Sequence, residues 1–523
     1  MDRITDEEEN VPQIVGVDAD TSSEETQMRL KKTGFLAQLR SYEEALDRKL
    51  GVESHSIERK LPGDRNPFYT RWSGQLAIVS FWVGGCMNLG SFASGFIGWE
   101  FGLDLRQSIL VIIFGSVVGG AVTSWCATMG PPTGLRQVSI CRYSLGWYPS
   151  KVIAILNVIQ QIGWCASGSI TGGQALYAFS DGKVGSQLGV VIVSIMSLGF
   201  SFFGLKAVYI FEKFAWLVFL GIFLIILGEI GRFADLSAPS SAKGPSNIAG
   251  AVLTYFGVMY GSSASCAGES NSYLDCYVSD FYAEHPANIA KTKIFLLTFV
   301  GLFVSTCLSA IAGAIAASAL HNNPQWNEQY EVGVGFLLQT MIHPYRLAKA
   351  ILFLLMFASV GLNCGSMYSA GLSIQQASYR LAAVPRFVWE IFCFAAVIAL
   401  GLAGSDRLLV FLQNFLSLLG YYATAVFVCL FTEHYLFRDG SFGSYDLENW
   451  NTRSMLPVGY AGSLAFACGI VGAVLGMSTT WYTGVIAKRF GELGGDIGNE
   501  LCFFLTLVAY VPARYAERRW MDK

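Results

Sequence analysis

Long apolar stretches alternate with short polar ones along most of this chain. Between Arg71 and Glu100, Arg106 and Arg136, Lys151 and Asp181, and Lys183 and Lys206 there is no Asp, Glu, Lys or Arg. A hydrocarbon core about 30 Å thick is crossed by roughly 20 apolar residues of helix, and each interval supplies that length. Read by apolar length, the pattern predicts about twelve helical spans, near residues 73–95, 108–129, 152–177, 185–204, 208–228, 248–268, 294–319, 348–372, 386–404, 408–431, 456–480 and 497–513. The predicted fold class is therefore an all-α polytopic membrane protein. A tail of residues 1–70 precedes a membrane domain of residues 71–513, and residues 514–523 form a short tail after it.

Composition strengthens this picture. Hydrophobic residues make up 53% of the 523 and charged residues 14%, against roughly 25% charged in soluble domains. Residues 1–70 are polar, acidic at first from Asp6 to Glu9, and contain no apolar run of the kind a cleaved leader needs. Within them Phe35, Leu36, Leu39, Leu46 and Leu50 predict one amphipathic helix. Arg514, Arg518, Arg519 and Lys523 follow the last span, and the loops at 130–151, 205–207, 269–293, 373–385 and 432–455 all carry Lys or Arg. That bias favours both termini in the cytoplasm, although Arg232, Lys243, Arg346, Lys488 and Arg489 lie in the opposite loops. The 12 Cys are scattered singly, with no CxxC pair and no His at ligand spacing, so they read as packing residues rather than disulfides or a metal set. No cofactor, metal or nucleic-acid partner is expected, and a net charge of -3 identifies no other.

Two spans carry glycine and polar residues at their centres. The first contains Gly84, Gly85, Cys86, Met87, Asn88, Leu89, Gly90 and Ser91, and the sixth contains Gly257, Tyr260, Gly261, Ser262, Ser263 and Ser265. They lie five spans apart, as two structural repeats of inverted topology would place them, and unwound backbone at membrane depth is tolerated only where it is buried or lines a cavity. Both runs are read as interruptions around a midplane site, with Cys86 and Asn88 as candidates. The rival reading is that the glycines serve close helix packing.

Ionisable groups at membrane depth are costly and are functional candidates by default. Glu212 enters the fifth span, Glu269 ends the polar segment of the sixth, and Glu390 sits one turn into the ninth, within reach of the interface. A carboxyl buried at that depth can carry a proton and couple its movement to that of a substrate. Glu212 is the candidate for that role, against pairing with Lys206 or Lys213 as a plain anchor. Trp164, with Asn157, Gln160 and Gln161 on the same span, offers a stacking face and amide donors and acceptors suited to a flat polar heterocycle. Interhelical hydrogen bonds are the alternative use for those amides. Asn363, Ser366, Tyr368 and Ser369 in the eighth span and Gln413 and Asn414 in the tenth either line a pathway or join helices. Nothing resembles a nucleotide-binding loop or a catalytic triad, so no enzyme is expected.

The stretch from Leu475 to Tyr482, followed by Gly494 to Leu501, closely resembles the fungal purine-cytosine permeases of the nucleobase-cation-symport-1 family. Gly130 to Pro132, Gly134 to Gln137, Ile162 to Trp164, Phe411 to Leu416, Glu433 with His434, and Leu456 with Pro457 extend the resemblance over roughly residues 50–520. It implies a transporter with a five-plus-five inverted-repeat core of the LeuT type plus two extra helices, and proton-coupled uptake of a nucleobase or related heterocycle, most naturally at the plasma membrane. It also implies that Trp164 stacks on the substrate and that Glu212 serves proton coupling.

Several positions depart from the family pattern. The sixth span has no Trp, and either Ser262 or Glu269 stands in its place. In the eighth span Asn363 is kept, while Leu362, Gly365 and Ser366 replace the usual Asn, Pro and Asn; Gly168 stands where an Asn is usual. The substrate-binding candidates are thus Cys86, Asn88, Trp164, Gly168, Ser262, Glu269, Asn363 and Ser366. Glu269 facing the cavity would favour an amine-bearing heterocycle, vitamin B6 among them, unless it meets Lys291 or Lys293 in the inner loop. A nutrient receptor on a transporter scaffold is the reading from another class, and it would need a docking module that residues 1–70 do not display.

Overall fold

The computed structural model describes residues 59–202, 205–268, 282–378, 381 and 384–521, but not the side chains of 202, 205–213, 266–268 and 521. The apolar runs become helices: α1 (Trp72–Cys86), α2 (Leu89–Ser94), α3 (Leu105–Ala127), α4 (Pro149–Phe179), α5 (Ser186–Phe202), α6 (Leu205–Ile230), α7 (Pro245–Gly268), α8 (Lys291–Ala319), α9 (Tyr345–Ala377), α10 (Arg386–Gly404), α11 (Leu408–Thr432), α12 (Tyr460–Gly476) and α13 (Gly498–Met521). By length and composition 7 of the described helices can cross a membrane, and 8 if the bent pair at α1 and α2 counts as one; α5 and α12 are shorter apolar helices. Among the described residues no β-strand forms, only an isolated bridge between Ser478 and Thr483. The predicted amphipathic helix at Phe35 to Leu50 lies outside the described residues.

The first span breaks as its glycines predict. α1 and the segment Leu89–Glu100 that α2 opens meet at a bend of 65°. Asn88 closes the joint: its Nδ2 donates to the Gly85 carbonyl at 3.0 Å, and its Oδ1 accepts from the Ser91 amide at 3.0 Å. One side chain thus satisfies a free carbonyl of one helix end and a free amide of the next, groups that hydrocarbon cannot solvate.

The second expected interruption is not there, and the reading of the sixth span is corrected. α7 runs without a break from Pro245 to Gly268. A Cβ at Gly261 would stand 2.0 Å from the Leu416 carbonyl oxygen on α11. That glycine is therefore a packing residue, letting two helix backbones touch.

The described chain before α1 lies across the loops at one end of the bundle. Arg65 Nη1 donates to the carbonyls of Pro131 and His285, each at 2.6 Å, and Arg59 donates to those of Thr133 at 3.0 Å and Leu447 at 3.2 Å. At the same end a buried ion cluster joins α11, α12 and α13. Arg514 Nε and Nη2 grip both oxygens of Glu433 at 2.9 and 3.0 Å, and Nη1 meets Glu517 at 2.9 Å. Glu433 also meets Arg438 at 3.0 Å, while Glu517 accepts from the amides of Gly459 and Tyr460 that open α12. Arg514 falls in the polar tail of the sequence reading, yet it is 1% exposed, and α13 continues to Met521.

Candidate functional site

Trp164, Ser167, Gly168 and Thr171 recur at helical spacing on α4, so they share one face. That face looks onto the joint between α1 and α2. Between them lies a cavity of about 20 Å³, whose polar side is made by Asn88, Ser91 and Ser94 of the broken span, Ser167 and Thr171 of α4, and Ser262 of α7. Trp164 and Gly168 share the wall with Leu362 of α9 and with Leu412 and Leu416 of α11. A space of that size holds one water. The site is closed down in this conformation and must widen to take a ring.

Four of the sequence candidates therefore come together: Asn88, Trp164, Gly168 and Ser262. Cys86 does not reach the cavity wall; it is buried in an apolar cluster with Trp82, Tyr282 and Leu302. Asn363 and Ser366 are buried beside α4 without lining the cavity, with the Asn363 carbonyl accepting from Cys165 at 3.5 Å. Glu269 and the side chain of Glu212 lie outside the described residues.

The amides of α4 below Trp164 go to other helices or to each other. Asn157 donates to Ser373 at 3.2 Å, Gln160 to the Ser265 carbonyl at 3.2 Å, and Gln161 to Asn157 at 3.4 Å. Asn414 is held by Thr480. Glu390, read as reaching the interface, is instead 1% exposed and tied to Arg386 at 2.9 Å and to Ser201 at 2.8 Å.

Sequence reasoning missed an aromatic neighbour of Trp164. Phe415 on α11 meets it edge to face at 5.4 Å and 79°, and Phe411 stacks on Phe415 at 5.6 Å. Spacing within α11 places Phe411 and Phe415 on one face, but nothing local says that α4 lies opposite.

The two ends of the cavity differ. On one side a vestibule of about 690 Å³ opens among Gln174, Tyr177, Tyr330, Asp406 and Arg407, reaching Leu408 to Val410 on α11. Gln174 and Val410 are within a turn of the cavity residues Thr171 and Leu412, so the barrier there is about one helical turn, roughly 5 Å. Toward the other side α4 continues from Trp164 back to Pro149, about 22 Å of packed helix.

The family described as "Permease for cytosine/purines, uracil, thiamine, allantoin" matches residues 67–498. Purine-cytosine permease fcyB of Emericella nidulans is 30% identical over 481 residues, 91% of this chain and 90% of its own. Vitamin B6 transporter TPN1 of Saccharomyces cerevisiae is 29% identical, covering 90% of this chain and 88% of its own. Among solved structures, MHP1, a nucleobase-cation-symport-1 family transporter in a closed conformation with bromovinylhydantoin bound, superposes with a TM-score of 0.62 at 14% identity, over 87% of this chain and 96% of that one. That likeness shows a shared LeuT-type fold. With the family match over most of the chain and a relative at 30% identity along nearly all of it, this integral membrane protein belongs to the permease family for cytosine/purines, uracil, thiamine and allantoin, and it is a transporter, not an enzyme.

Proposed function

We propose that the protein imports a nucleobase, cytosine or a purine, together with protons across the plasma membrane, with both termini in the cytoplasm. The observation that carries this reading is the cavity at the broken span, where the Trp164 face stands beside the small polar groups Asn88, Ser167 and Ser262. A flat base would stack on the indole and exchange edge hydrogen bonds with those groups. The names of several relatives, purine-cytosine permeases at 28–30% identity, support the substrate class. Alternating access then consists of thinning the barrier on the vestibule side or the longer one on the other around a fixed site. Glu212, by sequence within α6, is the proton carrier of this reading.

The test is uptake in cells stripped of their own nucleobase carriers, with labelled cytosine, adenine, hypoxanthine, uracil and pyridoxine at two external pH values. Base accumulation that rises at acid pH, falls with Trp164→Ala and loses its pH response with Glu212→Gln supports the reading. Absence of base uptake by a correctly localised protein refutes it. Uptake of pyridoxine alone selects the second reading, vitamin B6 transport, which the 29% identity to a vitamin B6 transporter favours.

A further inference from the structure

The loop between α3 and α4 brings Arg142 to the start of α4, and the loop before α12 brings Trp450, Asn451 and Arg453 to the same place. Arg142 is 7% exposed, and its guanidinium lies 5.1 Å from the ring centres of both Trp147 and Trp450. Nη1 donates to Asn451 Oδ1 at 2.8 Å and to the Trp450 carbonyl at 3.4 Å, while Nε and Nη2 have no hydrogen-bond partner among the described residues. That pair of parallel donors is the edge with which arginine grips a phosphate or carboxylate. No described carboxylate pairs with it: burial pulls the guanidinium from 12.5 down to about 10, and a buried cation without a counter-ion is costly.

Two more cations continue the line. Lys151 shares Trp147 with Arg142, its Nζ 5.3 Å from the ring centre, and shares Tyr148 with Arg453, at 6.0 and 5.1 Å. None of the three forms an ion pair among the described residues. Two acids that flank α12 are engaged: Asp446 accepts from Asn449 Nδ2 at 2.7 Å, and Glu517 is held by Arg514. The first turn of α4 adds the positive end of a 31-residue helix. From that turn Tyr148, Val152, Ile155 and Ile159 recur at helical spacing and are 46%, 52%, 54% and 59% exposed, an apolar stripe that leads from the cations into the hydrocarbon.

We propose that Arg142, Lys151 and Arg453 bind the phosphate of an anionic phospholipid, in the leaflet that meets both described ends of the chain, with its acyl chains along the α4 stripe. Charge complementarity selects this occupant. A zwitterionic headgroup would bring its own cation against three others, and a free phosphate would use the cations alone. Anionic lipids are concentrated in the cytoplasmic leaflet, the side on which the proposed orientation puts this end of the bundle. The site goes beyond the transport reading, since it asks for the same lipid whichever substrate is carried. A lipid held there fixes the point at which α4, the helix of Trp164, enters the membrane.

The experiment counts lipids bound to the purified, delipidated full-length protein by native mass spectrometry, during titration with phosphatidylserine, phosphatidylinositol, phosphatidylcholine or inorganic phosphate. The wild type is expected to bind either anionic lipid at least tenfold more tightly than phosphatidylcholine, and free phosphate more weakly than both. Each cation beside the headgroup is worth roughly fivefold in affinity, so Lys151→Gln with Arg453→Gln should lose most of that preference. Arg142→Lys keeps the charge without the parallel donors, and it should weaken anionic lipid while leaving phosphatidylcholine unchanged. Should that buried position fail to fold when altered, the pair at Lys151 and Arg453 still decides. Lys488→Gln with Arg489→Gln removes the same charge from the opposite end and should change nothing. Equal affinity of the wild type for anionic and zwitterionic lipid overturns the proposal. So does a preference that survives in the Lys151 and Arg453 pair, or one that the Lys488 and Arg489 pair loses equally. Free phosphate bound as tightly as the lipids overturns it too, leaving a site for small anions only. Base uptake is read separately, so the transport reading stands or falls on its own test.

Discussion

Alanine at Gly257 and alanine at Gly261 are expected to act in opposite directions, although the two glycines sit about one turn apart on α7. In a helix alanine is favoured over glycine by about 1 kcal/mol where the neighbourhood allows it. At Gly257 the nearest atom to a new Cβ is Asn499 Nδ2 at 3.5 Å, an ordinary contact. Gly257→Ala should therefore stabilise the protein by up to about 1 kcal/mol. At Gly261 the Cβ would meet the Leu416 carbonyl oxygen at 2.0 Å and its carbon at 2.9 Å. Both atoms are backbone, so no rotamer relieves the clash and α7 must part from α11 by about 1 Å. Overpacking of this kind costs about 1–3 kcal/mol, here near the upper end, which leaves Gly261→Ala destabilised by about 2 kcal/mol after the helix gain. The two variants should thus differ by about 3 kcal/mol, more than a hundredfold in the folded-to-unfolded ratio. Reversible unfolding in mixed micelles measures that difference. Ser262 and Leu416 both line the cavity, so uptake should fall with Gly261→Ala and persist with Gly257→Ala. Equal losses of stability at the two positions would refute the packing argument. A stable Gly257→Ala protein that no longer transports would show that α7 has to unwind after all.

Two further predictions concern buried charge. The cluster of Glu433, Glu517, Arg438 and Arg514 is neutral as built, and Arg514→Met leaves it one negative charge in excess. Removing one partner of a buried pair costs roughly 3–5 kcal/mol, and retained Arg438 sets this case near the lower figure; Glu433→Gln with Arg514→Met should be more stable than Arg514→Met alone, and additive losses in the same unfolding assay would contradict that. Asp496, 1% exposed in the loop before α13, is pushed by burial from 3.8 up to about 6, although the Tyr421 hydroxyl and the amides of Gly498 and Ser478 pull the other way. The folded protein then keeps a proton that the unfolded chain releases, so this contribution is complete below about pH 4 and is lost as pH rises through about 6. The stability of the wild type relative to Asp496→Asn should fall by about 2 kcal/mol between pH 4 and pH 7, and a difference that does not change with pH would rule the assignment out.

The helical architecture was legible because hydrocarbon demands long uncharged runs, and those runs are in the sequence. The broken first span was legible too, since Gly84 to Ser91 joins glycine flexibility to an Asn able to cap both ends. The run in α7 has nearly the same composition and a different fate. What decides it is the carbonyl of Leu416, a partner distant in sequence that no local pattern announces. Trp164, Ser167, Gly168 and Thr171 declare a common face by spacing alone, whereas the approach of Phe415 depends on how α11 docks. Asn157, Gln160 and Gln161 left two readings open, and the structure uses Asn157 and Gln160 in interhelical bonds while Gln161 donates to Asn157 along α4. The Arg386–Glu390 pair was legible too, at the i,i+4 spacing of a helical ion pair.

The buried ion cluster is completed only by the last helix of the chain. Glu433 finds its Arg514 partner only 81 residues later in the chain. While the ribosome is still adding α12 and α13, the end of α11 has Arg438 alone to answer its carboxylate, and the amides that open α12 still lack Glu517. A nascent chain that stops before Arg514 therefore presents unfinished polar surface where the completed protein has none. A premature stop near the C-terminus therefore removes few residues and still leaves a charge without its counterpart.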